Sequence, residues 1–277
     1  MIALLLACSG GTADDTAAAV DECAGAGETQ VAVLTRVAFA RIEDGVTRGY
    51  DLDEDETDAG EPWGCGIQDF VDAEGNTGID NAFGQVIPAL ESTQAVVLED
   101  LILESINSGE LLLMLELEDV NSEVDDACVD LTIQQATGTP NVGNDGSVES
   151  GQTFERDPDS PIETVSTSVV DGRIDSAKFD YRLPLQVFRE AIDFDIYGAR
   201  ARVELHGDGT VSGFINGGVS ADYVMEIANR DGIGDDVAAV LEPVVMALKD
   251  LDRDGDGTCE DISVVLEFDG KLAFFYE

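Results

Sequence analysis

Apolar and polar residues alternate most regularly between residues 179 and 205. Phe179, Tyr181, Leu183, Leu185 and Val187 share one side of an extended chain, and Asp180, Arg182, Pro184 and Gln186 share the other. Tyr197, Ala199, Ala201, Val203 and Leu205 repeat the pattern against Gly198, Arg200, Arg202, Glu204 and His206. A period of two is that of a half-buried strand. Gly207-Asp208-Gly209 then predicts a turn and Val211 to Asn216 a returning strand. The region reads as an antiparallel meander with one apolar face. β-branched and apolar runs predict further strands at 31–43, 111–117 and 128–135. A terminal hairpin is predicted from 262–268 and 271–276 around Asp269-Gly270.

Elsewhere the period lengthens. Phe83, Val86, Ile87 and Leu90 follow the capping pair Asp80-Asn81 at helical spacing, with a kink predicted at Pro88. Val97, Leu98, Leu101, Ile102 and Ile106 predict a second helix that Gly109 stops. Tyr223, Val224 and Ile227 suggest a short helix. A better one spans 235–248, with Val237, Val240, Leu241, Val244, Val245 and Leu248 on one face. Residues 137–160 are rich in Gly, Pro, Asn, Asp and Ser and read as a long loop. The fold class is therefore mainly β (α+β). An antiparallel meander packs with two to four helices in a single domain from about residue 29 to 277.

Charge narrows the function classes. The chain carries 59 acidic against 14 basic side chains, a net charge of −45. That excludes nucleic acid and electrostatic attraction to anionic lipid, both of which need basic surface. Three readings of the acidity stay open: ligands for divalent cations, solvation in a salty medium, or plain surface solubility. The only histidine, His206, sits at a predicted turn, so no HExxH zinc site can form. No GxSxG elbow, phosphate loop or dinucleotide loop occurs. The sequence thus predicts no enzyme. Paired carboxylates could still serve glycoside hydrolysis, but Trp63 is the only tryptophan with which to line a sugar cleft.

The chain opens Met1-Ile2-Ala3-Leu4-Leu5-Leu6-Ala7-Cys8-Ser9. Leu5-Leu6-Ala7-Cys8 resembles the lipobox of bacterial lipoproteins. The resemblance implies a diacylglycerol thioether on Cys8, removal of residues 1–7 as the remnant of a signal peptide, and export. Ser9 rather than Asp after the cysteine implies delivery to the outer membrane or cell surface. No basic residue precedes Cys8, which predicts a true start upstream of Met1. Residues 8–28 then form a lipidated, flexible tether, and the membrane is the one partner expected. With Cys8 so used, Cys23, Cys65, Cys128 and Cys259 remain as candidate disulfide cysteines. An exported location permits their pairing, in any of three connectivities.

The sharpest constellation is Asp250-Leu251-Asp252-Arg253-Asp254-Gly255-Asp256-Gly257-Thr258-Cys259-Glu260-Asp261. It resembles the EF-hand calcium loop, whose ligands at alternate positions converge around a glycine bend. The resemblance implies Ca2+ on Asp250, Asp252, Asp254, Asp256 and Asp261, with Asp261 where the family places Glu. A predicted strand rather than a helix leaves the loop, which implies structural stabilisation instead of switching. Asp51, Asp53 and Asp55 have the same spacing and form a possible second metal site, although Glu56 replaces the glycine. Asp72 to Asp80 also carries oxygen ligands at alternate positions. The sequence reading is thus a non-catalytic, lipid-anchored outer-envelope protein with a calcium-stabilised domain. A lipid or apolar-ligand carrier is the alternative, and a carbohydrate-binding or carbohydrate-active module the third possibility.

Overall fold

The computed structural model describes Cys23 and residues 27–61, 63–92, 98–187, 190–230 and 235–276. The lipobox and Cys8 lie outside the described residues. Ten strands are found among them: β1 Glu28–Phe39, β2 Leu112–Val120, β3 Asp126–Thr137, β4 Gln152–Arg156, β5 Glu163–Val170, β6 Arg173–Asp175, β7 Phe179–Val187, β8 Glu190–Leu205, β9 Thr210–Ser220 and β10 Asp261–Phe275. Four α-helices accompany them: α1 Ile87–Glu91, α2 Leu98–Ser108, α3 Ala221–Ala228 and α4 Asp235–Val245.

With β4 and β7 set aside, the remaining eight strands close into a ring, β1-β2-β3-β5-β6-β8-β9-β10 and back to β1, every pairing antiparallel. The fold is mainly β, a barrel-like antiparallel sheet carrying helices. Register explains why it closes around an apolar interior. Ala32, Leu115 and Ile133 oppose one another across β1, β2 and β3. Leu266, Ile215 and Ala201 do so across β10, β9 and β8, and Val203, Ile174 and Val169 across β8, β6 and β5. All nine are buried. The alternate residues face outward, as with the exposed Thr164 and Ser166 on β5. A closed barrel leaves no edge within the ring for another chain to pair with. Gly213 is required in this wall. A Cβ there would lie 2.0 Å from the Arg202 carbonyl oxygen and 2.7 Å from the Phe268 ring.

The two ends differ. Residues 121–125, 171–172 and 206–209 make short turns at one end. The long excursions, 40–111 and 221–260, leave and re-enter at the other, where the helices pack. There Phe83, Val86, Ile87, Leu241 and Val245 join the barrel core. β4 lies outside the ring, antiparallel to the end of β3 and parallel to the end of β10. Its Arg156 makes two hydrogen bonds, 2.6 and 2.7 Å, to Glu116, which is buried on β2.

Three local expectations need correction. The terminal segment is one 15-residue strand, not a hairpin. Gly270 pairs with Val211 on one side and Leu34 on the other, because a partner strand already waits on each side of β10. Residues 137–160 contain β4. Pro88 kinks nothing: it sits in the first turn of α1, after a separate 3-10 turn at Ala82–Gln85, where a missing N–H is harmless. Among the described residues, no helix is long and apolar enough to cross a membrane.

Candidate metal centre

The segment from residue 40 to 81 folds onto the outer face of β8, β9 and β10. Tyr50 fixes it. Its N–H donates to Asn216 Oδ1 at 2.6 Å, and its hydroxyl donates to Asp175 at 2.5 Å. The Arg200 guanidinium lies 3.9 Å from its ring. Burial and the adjacent Asp175 carboxylate keep the phenol neutral by pushing its pKa up. Asn216, fully buried on β9, returns a hydrogen bond to the Asp80 carbonyl at 3.1 Å. These contacts carry both ends of an acidic loop to one place on the barrel wall.

There, single oxygens from Asp51, Asp53 and Asp80 lie within 4.8 Å of one another. Asp51 accepts from the Glu54 N–H at 2.6 Å and Asp53 from the Asp55 N–H at 3.0 Å, so the loop backbone aims both carboxylates. Asp80 is only 2% exposed and accepts from the Leu52 N–H at 2.7 Å. Asp69, which accepts from the Thr57 N–H at 2.6 Å, and Asp250 add negative charge near Asp80. The pKa values of Asp51, Asp53, Asp69 and Asp80 are all raised, first by burial and then by repulsion among the carboxylates. The cation facing Asp51 and Asp53 is Lys178, whose ammonium donates to the Leu52 carbonyl at 2.6 Å. Gly78 preserves the space: a Cβ there would lie 3.0 Å from Asp51 Oδ2 and 3.2 Å from the Asp55 carbonyl oxygen. An all-oxygen set of this kind suits a hard divalent cation.

The EF-hand-like loop is placed differently from its sequence spacing. Asp252 and Asp254 come together, but Glu260 completes their group. Asp252 accepts from the N–H groups of Gly255, Asp256 and Gly257, and Asp254 from that of Asp256. Asp256 turns to the Thr258 N–H. Asp261, 1% exposed, is held by Nε and one terminal Nη of Arg253, whose guanidinium also stacks 3.6 Å from the Tyr197 ring. Asp250 is 3% exposed, takes the N–H and hydroxyl of Ser263, and has its pKa raised by burial to about 7. Thus the first and twelfth loop positions fasten the loop to β10, while Asp252, Asp254 and Glu260 face each other.

Of Asp51, Asp53 and Asp55, the first two converge and Asp55 is exposed. Asp80 takes the third place. The sequence carried a signal for Asp80 in the alternation from Asp72, but Asp72 itself closes a turn onto Asn76. Glu260 and Asp69 had no such signal, since each is aimed by tertiary contacts. The two acidic loops flank one cleft of about 390 Å³ lined by Asp53, Lys178, Tyr197, Asp252, Arg253 and Asp261 among others. The disulfide Cys65–Cys259 ties the loops together, and Cys23–Cys128 ties the N-terminal segment to the start of β3. No protein-family model, no curated protein and no solved structure matches the chain.

Proposed function

We propose that the chain is a non-catalytic, exported domain, tethered to the outer envelope through lipid on Cys8, whose outer loops are locked onto the barrel by calcium. The observation that carries the cation is the convergence of the half-buried Asp51 and Asp53 on the buried Asp80, where Asp69 and Asp250 add charge of the same sign. Such a group repels itself, and a hard cation turns the repulsion into a cross-link between residues 51–53 and residue 80. Asp252, Asp254 and Glu260 would hold a second ion. The Cys65–Cys259 bond between the two loops supports an oxidising location and a static, structural role. Thermal unfolding in calcium and in chelator tests the reading. A ligand that binds only the folded state at a hundred times its Kd stabilises it by about 2.7 kcal/mol. Equal melting temperatures in the two buffers would refute it.

A further inference from the structure

The short-turn end of the barrel holds a bowl of about 390 Å³. Leu115, Leu117, Leu205, Val211, Leu272 and Phe274 line it, drawn from four neighbouring strands, and β1 closes the fifth side. Leu272 and Phe274 remain 37% and 47% exposed, although the residues deeper in the same interior are buried. Barrel mouths are common ligand sites, and the volume falls at the lower end of the ~300–1,000 Å³ of small-molecule pockets.

We infer that this mouth binds the alkyl chain of a single-chain amphiphile whose head is cationic or uncharged. The lining supplies the first half of the assignment. A chain entering the bowl removes its own methylenes and the exposed faces of Leu272 and Phe274 from water, which favours binding. The space suits one alkyl chain and not two. The rim supplies the second half. Glu28, Glu123 and Asp208 surround the opening with His206. Their polar needs are partly met on the rim, where Gln30 donates to Glu123 at 2.8 Å and Thr210 to Asp208 at 2.6 Å. A carboxylate head would meet three like charges there, whereas an ammonium head would meet opposite ones. The Cys23–Cys128 bond joins the N-terminal segment to the same end, since β3 begins beside that rim. If the Cys8 anchor holds, ligand arrives from the membrane; binding itself does not depend on that anchor or on calcium.

The test uses the full chain and N-phenyl-1-naphthylamine, an uncharged probe that brightens in apolar sites. Probe emission should rise on binding. Dodecyltrimethylammonium, below its micelle concentration, should displace the probe at least tenfold more effectively than laurate. L272Q/F274S and V211W, the second filling the bowl, should each weaken probe binding at least tenfold, while I162S, at an exposed apolar site elsewhere, should not. Absence of any emission change, indifference to both bowl variants, or equal displacement by laurate would overturn the assignment. So would a signal seen only after residues 1–22 are removed, because the chain's own segment would then be the occupant. Calcium dependence is read from melting temperature and probe binding from emission, so the two proposals fail separately.

Discussion

Asp250→Asn isolates the cost of a carboxylate sealed beneath the acidic loops. Asp250 is 3% exposed, and burial lifts its pKa to about 7 from the usual 3.8. A pKa raised in the folded state favours folding fully below the unfolded value and loses that stability as pH rises through the folded value. The difference is about three units. At about 1.4 kcal/mol per unit, the charged form costs at most about 4 kcal/mol by pH 8. Asparagine keeps the shape and accepts from the Ser263 N–H, and its amide donates to the Ser263 hydroxyl that already accepts from the Ala82 N–H, so it removes the charge at the smaller cost of the hydroxyl's own acceptor. Without calcium, the wild type should therefore lose stability between pH 5 and pH 8, with Asp69 and Asp80 adding to the fall. D250N should be the more stable protein at pH 8 and should show a smaller fall. The aspartates whose pKa values are lowered, including Asp126, Asp145 and Asp208, act below about pH 4 and leave this window clear. Urea unfolding in chelator, disulfides intact, measures the difference. A D250N protein less stable than wild type at pH 8 would refute the reasoning.

Three further outcomes follow from the packing. Replacing both Cys65 and Cys259 with serine opens a loop of 194 residues and should cost about 5 kcal/mol on the chain-entropy account, with the calcium-dependent part of the melting temperature shrinking as well. Arg156→Met leaves Glu116, 4% exposed, with Gln134 as its remaining side-chain donor, and should cost about 3 kcal/mol in urea unfolding; a cost below about 1 kcal/mol would show that the pair is solvated. Gly213→Ala forces a methyl against the Arg202 carbonyl and should destabilise by about 1–3 kcal/mol or more, measured by thermal unfolding.

Strands were legible wherever the interior imposed strict alternation. Parts of the 179–187 and 197–205 segments and the Gly207–Gly209 turn were readable because Asp180, Arg182, Arg200, Arg202 and Glu204 alternate with buried or half-buried apolar residues, whereas the register shift between Tyr197 and Arg200, which leaves Tyr197 in the outer cleft, was not. β5 and β6 were not. β5 carries Thr164, Ser166 and Ser168 among its valines, and β6 has three residues, so neither presents a long periodic signal. Gly270 looked like a turn because Asp-Gly is a hairpin signal, yet long-range pairing on both sides of β10 holds it straight. The acidic site was half legible. Local spacing marks Asp51 and Asp53, whose carboxylates are aimed by their own loop. Asp80 reaches them only because Asn216 and Tyr50 dock distant segments on one wall. In the 250–261 loop, spacing could not reveal that Arg253 would claim Asp261 and leave Glu260 beside Asp252.

Calorimetric titration of calcium into chelator-stripped protein at pH 7.5 bears most directly on the cation. The account predicts saturable binding in the wild type, unchanged in Asp55→Asn, whose carboxylate is exposed, and weakened at least tenfold at one site in Asp80→Asn. Absence of binding in the wild type, or equal binding in Asp80→Asn, would contradict it.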